Sequence, residues 1–148
     1  MASEVFSVQL AEFANRFEEK AETVIRKAAI DILGRIVERT PVGNPSLWKN
    51  APPKGYVGGR LRGNWNVGIG YINTALRPID KGGTETKRRG ERVIGLAKPE
   101  QDIYITNSLP YAIPVEYGWS SQAPAGMVRV TVAEWNGLIE KAARELPQ

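Results

Sequence analysis

The chain predicts an α+β fold in which a long N-terminal helix and a C-terminal helix pack on a small, mainly antiparallel sheet. Three patterns carry that expectation. Apolar residues recur every three or four positions from about Val8 to Arg39, alternate with polar ones from Leu61 to Ile72, and return to the helical spacing from Val128 onward. The 148 residues are the size of one ordinary domain, 1–148, since two domains would leave both cores too small.

In the first helix Leu10, Phe13, Phe17, Ala21, Val24, Ala28, Ile32 and Ile36 make one apolar stripe, and Glu22 stands four residues before Arg26 on the polar side. Ser3 and Ser7 are candidate N-caps, and Thr40 ends the helix because a residue before proline avoids helical geometry. At ~1.5 Å per residue the segment reaches ~45 Å, so a kink near Asn15 to Lys20 is expected. An extended loop follows at about 43–59, rich in Pro, Gly and Asn yet holding Trp48 and Tyr56. A loop of that length without regular structure points to a functional role.

The alternation that begins at Leu61 places the strand at residues 60–71, with Trp65 on its apolar side and Gly58-Gly59 supplying positive φ at its start. A turn-rich connection over Arg77 to Gly83 leads to a short helix from Thr84 to Ala97 that buries Val93, Ile94 and Leu96, with Gly90 and Gly95 weakening it. Ile103 and Ile105 alternate with Tyr104 and Thr106 in a second strand at 102–106, stopped by Asn107, Ser108 and Pro110. Pro114 makes Tyr111 to Tyr117 an edge or surface segment rather than a central strand. In the last segment Val128, Val132, Trp135, Ile139 and Ala142 fit one helix, with Trp135 on its buried side.

Composition narrows the function. With neither histidine nor cysteine, the chain lacks the Ser-His, Cys-His and zinc constellations, and no phosphate-cradling glycine motif is present. Asp80, Glu85 and Lys87 mimic the acid, acid, lysine order of a metal-dependent nuclease, but four residues containing two glycines separate the acids, so a charged surface turn is the expectation. We therefore expect no enzyme and no cofactor. The N-terminus has no basic leader and no apolar run approaches the ~18 residues of a membrane span, so the expected location is a cytoplasm and no membrane partner is expected.

Two stretches stand out for pattern without chemistry. The first is Ile105-Thr-Asn-x-Leu-Pro-Tyr-Ala-x-Pro-Val-Glu-Tyr-Gly-Trp119, followed by Gln122-Ala-Pro-Ala-Gly-Met-Val-Arg129. The second pairs Arg39-Thr-Pro-Val42 with Gly59-Arg-Leu-Arg-Gly-Asn-Trp65. Together these blocks, in the same order over about three quarters of the chain, resemble the tail-completion proteins of long-tailed bacteriophages, the minor tail protein Z-like morphogenesis family. The departure is the insertion NPSLWKNAPPKGYVG, where simpler members have a tight turn.

The resemblance implies a structural virion protein that completes the head-proximal tail end or the neck, joining head to tail as an oligomeric ring of six-fold symmetry. Its implied partners are copies of itself, the head-completion or stopper protein, the tail terminator and the tail tube. Its implied place is the virion, after assembly in the host bacterial cytoplasm. The alternative from composition is a small basic protein that binds nucleic acid without sequence preference.

Candidate interface residues are the loop aromatics Trp48, Tyr56, Tyr111, Tyr117 and Trp119, with Arg60, Arg62 and Glu116. Arg60 and Arg62 are expected to pair with carboxylates, and Glu116 either is a buried carboxylate holding its own loop or reaches an arginine such as Arg62 on a neighbouring subunit. Residues 49–98 carry eleven Lys/Arg against three Asp/Glu, within a net charge of +4. There Lys81, Lys87, Arg88, Arg89 and Arg92 are candidates to face phage DNA across a ring channel, by phosphate contact alone. A solvated face, or salt bridges to the acidic C-terminal third of another subunit, is the competing expectation.

Overall fold

A computed structural model describes the backbone of residues 2–98 and 100–146, and the side chains of that range from Lys20 onward. Helix α1 spans Ala2–Arg39 as 38 uninterrupted helical residues, so Ser3 and Ser7 lie inside the helix rather than at its cap. The predicted stripe side chains Leu10, Phe13 and Phe17 lie outside the described residues. Farther along, Ala28 and Ile36 are buried as the stripe predicts, Ala29, Leu33 and Val37 widen the buried face beyond it, and Ile32 is only partly buried. The helix stops before Thr40, whose hydroxyl donates back to the Ile36 carbonyl at 2.6 Å.

The predicted strand at 60–71 is largely replaced. Arg60–Gly63 forms one helical turn, α2, reached through Gly59 at φ +108°, and only Asn66–Ile69 is strand β1. Close backbone contact decides this: the Gly59 carbonyl receives both Gly63 N–H at 2.9 Å and Asp80 N–H at 3.2 Å, so the returning chain locks the turn. On the polar side of the alternation Arg60 is exposed, but the two asparagines do not face water. Asn64 and Asn66 are buried, and their amides bond the extended segment that follows: Asn64 accepts the Arg77 N–H at 2.8 Å, and Asn66 donates to the Ala75 carbonyl at 2.7 Å. Side-chain amides thus tie down a segment that has no strand pairing of its own.

Helix α3 covers Thr84–Ile94 and packs on α1, burying Ile94 but leaving Leu96 71% exposed, because the helix ends before it. Strand β2, Ile103–Thr106, pairs antiparallel with β1 in the register Asn66↔Thr106 to Ile69↔Ile103, as expected for the sheet. Tyr111 to Tyr117 contains a helical turn, α4, Ala112–Glu116, with Pro114 in the first turn where its missing N–H removes no helical bond.

The C-terminal helix is broken into α5, Val128–Val132, and α6, Trp135–Arg144. The break rotates Trp135 outward to 37% exposure, against the expectation that it is core, whereas Trp65 is buried as predicted at 4%. Ion pairs dock α6 and the turn before it on α1. Arg35 and Arg39 share Glu134, Asp31 meets Lys141 at 3.7 Å and Lys27 meets Glu145 at 3.6 Å. The core joins α1 to Leu61, Trp65, Val67, Ile94, Leu109, Ala112 and Met127. Long N-terminal helix, small antiparallel sheet and C-terminal helix together make the protein α+β.

Candidate interaction surface

The sequence blocks singled out above, far apart along the chain, meet at the C-terminal end of α1. Thr40 is the hub. Its carbonyl accepts Arg62 Nη2 at 2.8 Å and Arg62 Nε at 3.1 Å, and its hydroxyl accepts the Trp65 indole N–H at 2.7 Å. Asn107 donates to the Leu61 carbonyl at 2.8 Å, and Gln122 donates to the Val42 carbonyl at 3.1 Å. Arg62 also donates to the carbonyls of Lys81 and Glu38, so the expectation that it pairs with a carboxylate is replaced by backbone clamping.

Glu116 resolves in favour of the loop-holding alternative. Its carboxylate accepts the N–H groups of Met127, Val128 and Arg129, each at 2.8 Å, and the Arg129 guanidinium at 3.2 Å. Gly126, at φ +85°, lets that loop close, since a Cβ there would lie 2.7 Å from the carboxylate. Burial alone would raise the Glu116 pKa, but the three backbone donors and Arg129 outweigh it and hold the carboxyl below its ordinary range. Arg129 lies 4.7 Å over the Tyr117 ring.

Above this frame lies an open cleft of about 590 Å³ that brings together four of the predicted interface residues, Trp48, Tyr56, Arg60 and Tyr111. Trp48 and Tyr56 meet edge to face, with ring centroids 4.9 Å apart, and so close one wall. Burial pushes the Tyr111 phenol up in pKa against the opposing pull of Arg60. Pro41, Val57, Leu61, Ile79 and Val115 complete the apolar lining. The sequence signal for Val57 and Ile79 was an aliphatic residue in a polar loop, too weak to single out by spacing. Arg62, Glu116, Tyr117 and Trp119 do not line the cleft; Trp119 stands beside it at 82% exposure, next to the lining residue Ser120.

The basic residues 81–92 do not act as one free patch. Lys87 pairs with Glu38 at 2.9 Å, which lowers the Glu38 pKa, and Arg88 pairs with Glu85 at 3.2 Å. Arg89 donates to the carbonyls of Gly63 and Trp65, bracing α3 against the start of β1, and its burial beside Arg77 lowers its pKa. Lys81 and Arg92 make no side-chain ion pair among the described residues.

Asp80 is occupied as well. Its carboxylate takes the N–H of Gly83 at 3.0 Å and the N–H and hydroxyl of Thr86 at 2.8 and 2.7 Å. Burial raises its pKa less than these bonds lower it, leaving the carboxyl below its ordinary range. It is a clamp at the start of α3, with its acceptors turned to the backbone rather than to Glu85.

No helix among the described residues is long and apolar enough to cross a membrane. No family model matches the chain, and no curated protein or solved structure is significantly similar to it.

Proposed function

We propose that this protein is a structural component of a tailed-bacteriophage virion, completing the head-proximal end of the tail or the neck as a ring of identical subunits. Its work is binding rather than turnover. The observation that carries the proposal is the convergence of the T-P-V, G-R-L-R and L-P-Y-A-x-P-V blocks on one exposed aromatic cleft, at Pro41, Arg60, Leu61, Tyr111 and Val115. An exposed apolar surface of this kind is what an assembly contact requires, and it sits where the resembling residues are concentrated. Neck and tail proteins of the same virion are the partners on this reading. The nucleic-acid alternative draws less support, since Lys87, Arg88 and Arg89 are engaged within the chain.

Light scattering on the eluting peak of a sizing column tests the proposal. The chain is expected to elute as an oligomer, or to shift mass on mixing with neck or tail-tube proteins of its phage, with Trp48→Ala and Trp119→Ala impairing that shift while circular dichroism is unchanged. A strict monomer that ignores those partners, yet binds duplex DNA with steep salt dependence, would overturn it.

A further inference from the structure

We infer that the aromatic cleft receives the N-terminal part of α1 from a second copy of this chain, an inference that rests on the assembly reading and names its contact. The cleft is largely apolar, with Arg60 as its charged lining residue and further cations close to the lining residues along the chain. Lys49 and Lys54 flank Trp48 and Tyr56 in sequence, and the backbone of Lys81 backs onto Gly59, another lining residue. No carboxylate lines the cleft, and none of these four cations has an ion-pair partner among the described residues. The two nearest acids along the chain, Asp80 and Glu116, are consumed by backbone N–H groups. An occupant must therefore bring large apolar side chains and its own negative charge.

The sequence of residues 2–19 has that chemistry. Phe6, Leu10, Phe13 and Phe17 recur at intervals of four, three and four, and Glu4, Glu12, Glu18 and Glu19 stand against the single cation Arg16. The backbone there is helical and continuous with α1. At ~1.5 Å per residue, a helix places Phe13 roughly 40 Å from Pro41, the residue where α1 meets the cleft. The segment cannot fold back along its own helix, so the cleft it fills belongs to another subunit. Donor and acceptor sit at opposite ends of α1, which makes the contact head-to-tail, the type that closes into a ring when the rotation per subunit allows. A nucleic-acid strand, with aromatic stacking and phosphate on the lysines, is the competing occupant; the aliphatic walls at Val57, Leu61, Ile79 and Val115 favour apolar side chains over bases.

Because the chain has no cysteine, two full-length single-cysteine variants give a clean cross-linking test. Phe13→Cys chains and differently tagged Val57→Cys chains are mixed and treated with a short bismaleimide, with Leu96→Cys as the distant control for Val57→Cys. The expected result is a mixed-tag dimer at least tenfold above the control, reduced at least tenfold when Arg60→Glu or Trp48→Ala is added to the Val57→Cys chain. Glu12→Cys replaces Phe13→Cys if the phenylalanine variant does not fold. If light scattering shows oligomers but cross-linking stays at control level, this contact is wrong while the assembly reading stands. If the chains neither associate nor cross-link, and neck partners are bound normally, the contact is again wrong. Loss of the cross-link on adding a single-stranded oligonucleotide that quenches tryptophan fluorescence would assign the cleft to nucleic acid and overturn the inference.

Discussion

Glu116 accepts hydrogen bonds from three consecutive backbone N–H groups, so a single side chain sets the position of the 127–129 segment. Replacing it by glutamine removes the charge and leaves donors unmatched; from the usual strength of hydrogen bonds to a charged group, Glu116→Gln should cost on the order of 2–3 kcal/mol in urea unfolding. The pH dependence has a definite sign. The pKa values of Glu116 and Asp80 are lowered in the folded state, so unfolding takes up protons at acid pH. Their stabilisation is complete above the unfolded values, near 4.5 and 3.8, and is lost as pH falls through the lower folded values. A urea midpoint that stays level from neutral to about pH 5 and then drops is expected, with a shallower drop in Glu116→Gln. That Glu116 needed a partner was legible from its apolar neighbours, but which partner was not. Asn64 and Asn66 show the same limit: alternation marked them as polar-side residues, and only the returning chain at 75–77 makes a buried position tolerable for their amides.

Helix α3 shows how packing reverses a propensity. Gly90 weakened the sequence case for a helix, yet its missing side chain leaves room for α1 and β1: a Cβ there would lie 2.2 Å from Leu33 Cδ2 and 3.0 Å from Val67 Cγ2. Gly137 sits in α6 with nothing within 4 Å of its would-be Cβ. The same substitution should therefore have opposite signs. Gly90→Ala should destabilise by about 1–3 kcal/mol through overpacking, and Gly137→Ala should stabilise by up to ~1 kcal/mol through helix propensity, both measured by thermal or urea unfolding. Equal effects would mean that α3 does not seat on α1 as described. The strand at 60–71 failed as an element for a related reason. Period-two alternation is a local signal, whereas the Gly59 carbonyl accepts the N–H of Asp80 from the returning chain as well as that of Gly63, which holds the first residues as a helical turn.

At the scale of the whole molecule, charge separates into residues that hold the fold and residues left for partners. Arg62, Arg89, Arg35 and Arg39 are spent on carbonyls and on Glu134, while Lys81 and Arg92 make no ion pair among the described residues. Arg89→Gln is expected to lower stability by about 1–3 kcal/mol, whereas Lys81→Gln and Arg92→Gln should stay within ~0.5 kcal/mol of the parent in the same urea titration. Any duplex-DNA affinity should depend on the latter pair, and its salt slope should shrink by roughly one unit per phosphate contact removed. If Arg89→Gln is as stable as the parent, the brace between α3 and β1 is unimportant and the residue returns to the DNA-facing set. The sequence by itself determined the α+β class, the end of α1 before Thr40, the pairing strand at 102–106, the loop aromatics and the lack of histidine and cysteine chemistry. Each of these follows from local periodicity, backbone restriction or composition. Only the tertiary structure decided where the carboxylates of Asp80 and Glu116 point, which arginines are engaged within the fold, why Trp135 turns outward and which aromatics share a cleft. Those outcomes depend on contacts between residues tens of positions apart, whose geometry no local spacing encodes.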